Sequence, residues 1–223
     1  MRSLLAFLVG ALALSGVAHA QTGAAPARAT DRGFVEGFAE SAFGNVTSQS
    51  FGAAIGVTVI KNVQVFVEGG VVRDVATSGL GAAAQTIAGY LSQTQANVTF
   101  HAKEPVTFGV AGVKFVVPMD SSPSRLNLQP YLVIGGGLAK VEQDVTFSIA
   151  GNDVTSNLAT YGVQLGTDLS GSFTKPMLVL GGGIMWPAWQ QLIVDVHYRY
   201  GRIFADDQGI SVSRAGIGIG VRF

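Results

Sequence analysis

The last ten residues constrain this chain more than any other stretch. Phe223, Val221, Ile219, Ile217 and Ala215 alternate with Arg222, Gly220, Gly218, Gly216 and Arg214. One face is wholly apolar, and the other is glycine or arginine. A period of two predicts a β-strand whose faces meet very different surroundings.

Other segments repeat the pattern. Leu192, Val194, Val196, Tyr198 and Tyr200 oppose Asp195, His197, Arg199 and Gly201. Around a tight Lys61-Asn62 turn, Phe51, Ala53, Ile55, Val57 and Val59 precede, and Val63, Val65, Val67 and Val71 follow, with Gln64 and Glu68 opposite. Ala111, Val113, Phe115 and Val117 oppose Gly112 and Lys114. Two segments, 128–141 and 176–186, are apolar on both faces and carry a triple glycine each. Of these, Leu132, Ile134, Leu138, Leu178, Leu180 and Ile184 are assigned outward. In a first strand over 33–43, Glu36 and Glu40 share a face with Phe34 and Phe38 and are placed inward on charge grounds. The expectation is eight antiparallel strands, an even number that suits a closed transmembrane barrel.

The connections sort by side. The second, fourth and sixth (Lys61-Asn62, Pro118 to Arg125, Pro187 to Gln190) are short. The third and fifth, about Val75 to Pro105 and Gln143 to Lys175, are long. Short turns on the periplasmic side and longer outer loops are what such barrels show. Within the third connection, Leu80, Ala84, Ile87 and Leu91 keep a helical spacing, predicting a short amphipathic helix on the barrel rim.

Alternation alone would also fit a soluble barrel with polar residues facing water. The polar faces here are mostly glycine, which weakens a strand unless something needs the space. Thirty of 223 residues are glycine, against a usual share of about 7%. An eight-stranded lumen, just wide enough for side chains to fill, supplies that need. Charge agrees. A Lys or Arg facing lipid at the midplane costs roughly 2–4 kcal/mol, so Lys114, Arg199 and Arg214 belong inside. There they can meet Glu36, Glu40, Glu68 and Asp195, with His197 between Asp195 and Arg199. This mixed-sign set is predicted to be a lumen ion network, not a selective ring.

At the N-terminus, Arg2, the apolar run Leu4 to Val17 and Ala18-His19-Ala20 read as an export signal cleaved before Gln21. The run is too short for a membrane-spanning helix. The expected organisation is a signal peptide over 1–20, a short periplasmic segment over 21–32 and an outer-membrane barrel over 33–223.

PYLVIGGGLAK (130–140), VDVHYRYGRI (194–203) and AGIGIGVRF (215–223) resemble strands of the small outer-membrane β-barrel superfamily, the group of OmpA transmembrane domains and opacity-type surface proteins. The resemblance covers 34–223. It implies a bacterial outer-membrane location, and periplasmic chaperones and the barrel-assembly machinery as partners during export. It further implies that Ile219, Val221 and Phe223 form the C-terminal assembly signal. It is specific for architecture and weak for activity.

Chemistry is not expected. The chain has no cysteine and three histidines, without metal-ligand spacing. The His-x-Ser strand motif of lipid A-modifying barrels is missing, and the triple glycines precede no G-K-[ST]. No enzyme activity and no cofactor are expected. Low, balanced charge, 14 basic against 14 acidic residues, argues against a nucleic-acid partner. Trp186 and Trp189 near the periplasmic interface, and Tyr198 and Tyr200 toward the outer one, suit an aromatic girdle at headgroup level. The expected role is structural, with surface interactions through the long loops and lipid around the barrel. The alternative is a narrow porin or an OmpW-like route for small hydrophobic solutes.

Overall fold

The computed structural model describes residues 32–118, 128–164, 166–205 and 209–223. Segments 1–20 and 21–31 and most of the fourth connection lie outside the described residues.

Eight strands close into an antiparallel barrel: β1 (Gly33–Phe43), β2 (Thr47–Ile60), β3 (Val63–Val72), β5 (Val106–Val116), β6 (Gln129–Glu142), β9 (Ser172–Trp189), β10 (Leu192–Ile203) and β11 (Ile210–Arg222). Each pairs with the next in sequence, and β11 returns to β1 through Phe34↔Arg222 to Phe43↔Ser213. Closure leaves no barrel edge unpaired. The terminus takes part, since the Phe223 carbonyl accepts from the amides of Arg32 (2.6 Å) and Gly33 (3.0 Å).

The two faces of every barrel strand separate as the alternation predicts. Leu132, Ile134, Leu138, Val196, Ile217 and Ile219 stand 54–61% exposed on the outside. Their neighbours one residue away are buried or half-buried on the lumen side. This outer apolar surface is far larger than the patch of a few hundred Å² that a water-soluble monomer tolerates, so lipid is the solvent it fits.

One end of the barrel carries tight turns. At Lys61-Asn62 the chain reverses with Asn62 in the left-handed region (φ 67°), a conformation asparagine tolerates. The sixth connection differs from expectation. Strand β9 runs through Pro187 to Trp189, and the turn is Gln190-Gln191. Pro187 opposes Ile193 of β10, but β6 has already ended opposite Met185. Its missing N–H therefore leaves no ladder gap on that side.

At the other end the long connections are not loops. They fold into a cap of three further strands, β4 (Val98–Lys103), β7 (Asp144–Ile149) and β8 (Asn152–Asp153), in the order β4-β7-β8. Helix α1 (Ser78–Leu91), a 3₁₀ turn (Thr155–Tyr161) and α2 (Thr167–Ser170) complete it. The helix predicted for the rim is present, with Leu80, Ala84 and Leu91 buried and Ile87 packed beside them. Its apolar face packs on the cap sheet, against Phe147, Val145 and Phe100, and belongs to a second core distinct from the lumen. Thr77 caps it, its Oγ1 accepting from the Leu80 amide at 3.3 Å.

Cap and barrel share one ribbon. The pair Lys103↔Asp144 in the cap keeps the register of Val106↔Val141 in the barrel, with no residue inserted between. Between them the Glu142 amide still reaches the Pro105 carbonyl (2.9 Å), with no proline N–H to return the bond, and the Gln143 amide continues the β6–β9 register to the Gly171 carbonyl (2.8 Å). A buried clasp fixes the junction. One Asp74 oxygen accepts from the amides of Ala76 (2.8 Å) and Glu104 (3.0 Å), and a buried Glu104 carboxylate accepts from the Thr77 amide at 2.5 Å.

Candidate functional site: a closed ring of charges in the lumen

The strand period points Glu36 and Glu40, Glu68, Lys114, Asp195, His197 and Arg199, and Arg214 inward from β1, β3, β5, β10 and β11, all buried. Space for them comes from glycine on facing strands. A Cβ at Gly216 would lie 2.6 Å from Glu40 Cα, and one at Gly181 would lie 3.0 Å from Arg199 Cδ.

Six of the eight, with one residue the alternation did not single out, form a cycle. Arg214 donates to Glu40 (3.0 Å) and to Glu68 (2.9 Å). Glu68 lies 3.5 Å from Arg199 Nε. Arg199 Nη2 donates to the Tyr131 hydroxyl (3.2 Å), which donates to Asp195 Oδ2 (2.5 Å). Asp195 faces His197 Nδ1 at 3.0 Å, and His197 Nε2 faces Glu40 at 3.0 Å, closing the circuit. Ser50, fully buried, donates to the second Glu40 oxygen at 2.7 Å. Both imidazole nitrogens face carboxylates, Nδ1 toward Asp195 and Nε2 toward Glu40, an arrangement that an imidazolium satisfies by donating from each. The lumen sets Lys114, Arg199, Arg214 and His197 against Glu36, Glu40, Glu68 and Asp195, four basic side chains against four acidic ones.

Lys114 and Glu36 lie in the same lumen, outside the hydrogen-bonded cycle and within electrostatic reach of it. Lys114 Nζ has no hydrogen-bond partner among the described residues and sits over the rings of Phe34 (3.8 Å) and Tyr131 (4.3 Å). The aromatic faces do for the ammonium part of what a carboxylate would. Glu36 Oε2 is also without a hydrogen bond. Arg214 uses the same device, its guanidinium 4.2 Å from the Phe108 ring centre.

Tyr131 and Ser50 were missed because neither is charged. Parity would have found Tyr131, since Leu132 beside it points outward. On the turn side of the cycle the lumen is filled by Phe34, Phe66, Met185 and Ile193, and on the cap side by Val72, Val106, Val141, Met177 and Ile203. Ion ring and apolar layers together make a packed interior.

Ser50 faces Glu40 and not His197, whose two ring nitrogens meet Asp195 and Glu40. No cluster of three or more metal-ligating side chains occurs among the described residues.

Of the girdle residues, Trp186 and Trp189 lie outward at the turn end, 39% and 73% exposed, with Phe223 nearby in the fold at 54%. Tyr198 and Tyr200 also face outward. Their hydroxyls bond Ser213 (2.9 Å) and Ser211 (3.0 Å) across the β10–β11 pair. Ile219 and Val221 are exposed on the outer face of β11.

Among solved structures, the chain is similar to Neisserial surface protein A, NspA (14% identity, TM-score 0.54), over 86% of this chain and 97% of that one. It is also aligned with Ail, the attachment invasion locus protein of Yersinia pestis (16%, TM-score 0.44, 86% and 97%). A third alignment is with the N-terminal β-barrel domain of Pseudomonas aeruginosa OprF (15%, TM-score 0.44, 86% and 98%). No protein-family model and no curated protein sequence matches. The fold is that of a small eight-stranded outer-membrane β-barrel.

Proposed function

We propose that this protein is an integral outer-membrane barrel with a sealed lumen and no chemistry of its own, which holds the cap as a surface module. The observation that carries the reading is the ion-paired cycle around Arg214 and Glu40, buried between two apolar layers. A hydrated pore needs a continuous polar path, whereas here the charged members of the cycle pair with one another and apolar layers flank them. The narrow-porin alternative has less support, because the apolar layers lie on both sides of the ring.

On this reading residues 1–20 are an export signal, and the barrel, 33–223, is carried by periplasmic chaperones to the assembly machinery, which reads Ile219, Val221 and Phe223. Lipid covers the outer face, with Trp186 and Trp189 at the periplasmic headgroups and Tyr198 and Tyr200 toward the outer ones. The turns face the periplasm and the cap faces outward, where its partners are met.

The test uses the absence of native cysteine. Ser92→Cys, on the cap, should react with a membrane-impermeant maleimide on intact cells. Lys61→Cys, in the tight turn, should react only after the outer membrane is permeabilised. The opposite pattern would overturn the proposed orientation. Equal mobility of unboiled and boiled protein in SDS gels would overturn the barrel itself.

A further inference from the structure

The cap sheet has an undefended edge. Among the described residues strand β4 pairs only with β7, and the direction of its remaining backbone groups can be read from its ends. The Asn97 carbonyl accepts from the Ala150 amide (3.1 Å), so in this ladder the odd residues 99, 101 and 103 bond toward β7. The even residues must point the other way. Glu104 confirms the parity, because its carbonyl accepts from the Val75 amide (3.0 Å) and its amide donates to Asp74, both on the side away from β7. Among the described residues the edge is thus covered at Glu104 and open at Val98, Phe100 and Ala102. A cleft of about 340 Å³ runs along it, between Val98, Thr99 and Phe100 and the α1 stripe Gln85, Gly89 and Ser92. Edge strands are usually protected by charge, proline or a bulge. Over the open positions, Val98 to Ala102, there is no Asp, Glu, Lys, Arg or Pro, and the strand's one such charge is Lys103 at its barrel end.

We propose that this edge pairs with the same edge of a second copy, antiparallel and centred on Phe100. The choice of occupant comes from the strand's near self-complementarity. Pairing Phe100 with Phe100 of the second copy brings Val98 opposite Ala102, so all three outward-bonding residues meet outward-bonding residues. The apolar side chains Val98, Phe100 and Ala102 then share the α1 face, while Thr99 and His101 oppose each other on the far face. Lys103 falls opposite Asn97, so no like charges meet. Gly89 and the short Ser92 leave the α1 side open to the second helix. The product is a continuous six-stranded sheet of two caps, related by a two-fold axis.

The topology also says where the barrels lie. Lys103 is the barrel-proximal end of β4 and Val98 the distal end. An antiparallel pair sets the distal end of one copy beside the proximal end of the other, so the two barrels sit at opposite ends of the paired strands. This suits copies in facing membranes. One short strand pair is weak alone, and many copies per membrane would supply the avidity. The inference rests on the outward placement of the cap, which the maleimide experiment tests separately.

The experiment uses full-length barrels reconstituted with caps outward. One vesicle population carries Thr99→Cys and another His101→Cys. Directly opposed residues of this kind have Cβ atoms about 4.5–5.5 Å apart, near the reach of a disulfide. Mixing under mild oxidation should give a cross-linked dimer of one variant with the other, several-fold above either population alone, together with vesicle clumping. Ala102→Pro, whose lost N–H lies on the free edge, should abolish both while heat-modifiable gel mobility shows the barrel still folded. Absence of the mixed dimer, equal cross-linking within one population, or indifference to Ala102→Pro would overturn the pairing. A mixed dimer formed only when both variants share a vesicle would overturn the facing arrangement.

Discussion

Replacing Arg214 with methionine keeps most of the side chain's length and removes the charge on which the lumen cycle turns. Its guanidinium bridges Glu40 (3.0 Å) and Glu68 (2.9 Å) directly, at 0% exposure. Removing one partner of a buried pair costs about 3–5 kcal/mol, because the charge left behind is uncompensated. Each carboxylate keeps another contact, Glu40 with His197 and Ser50 and Glu68 with Arg199, which places the expected loss at the lower end, about 3 kcal/mol. With a urea slope of about 2 kcal/mol per molar, the unfolding midpoint in proteoliposomes should fall by roughly 1.5 M, read as the fraction of unboiled protein running in the folded band. Arg214→Met combined with Glu68→Gln removes one charge of each sign and should recover at least half of that loss. A single variant within ~0.5 kcal/mol of the parent, or a double variant worse than the single, would refute the view that the ring is held by mutual neutralisation.

Other expectations are narrower. Gly135→Ala and Gly136→Ala change adjacent residues of one triple glycine. A Cβ at Gly135 would lie 2.8 Å from Val110 Cγ1 inside the barrel, while at Gly136 the nearest atom is 3.8 Å away. The first should cost about 1–3 kcal/mol and the second should be neutral or slightly stabilising in the same urea titration. Asp153 holds Thr155 through its amide (2.8 Å) and hydroxyl (2.6 Å), which lowers the carboxyl below its usual range. A lowered folded value means the contribution is present above the ordinary carboxylate range and lost as pH falls through the folded value. Amide exchange at Thr155, corrected for its intrinsic pH dependence, should therefore quicken only in acid, and Asp153→Asn should remove that pH dependence. The chain's two tryptophans both lie at the turn end, so brominated lipids should quench its fluorescence most when the bromine sits near the headgroup and least at the bilayer centre.

The barrel was legible because its two solvents differ so sharply. Where one face is apolar and the other is glycine or charge, as in β11 and β10, parity alone assigns every side chain. The lumen charges followed from the cost of placing Lys114, Arg199 or Arg214 in lipid. Their partners did not follow, because pairing inside a lumen depends on relative strand height, which a single strand's pattern does not contain. Lys114 for that reason has its direct contacts with aromatic rings and meets Glu36 only at longer range. The cap was hidden for another. Strand β4 (VTFHAK) is six residues long, shorter than the barrel strands, and its apolar face is completed by α1 from the preceding segment and β7 from a connection some forty residues later. Only the helix, with a core of its own spacing, announced itself. At Pro187 the sequence suggested a turn, but a proline just past the end of a neighbouring strand costs the ladder little.

The most direct test of the sealed lumen is single-channel conductance of refolded Gln21–Phe223 in a planar bilayer, with folding verified by heat-modifiable mobility. A closed ion ring between apolar layers predicts a silent bilayer. Reproducible unitary steps from the folded wild-type protein would contradict it.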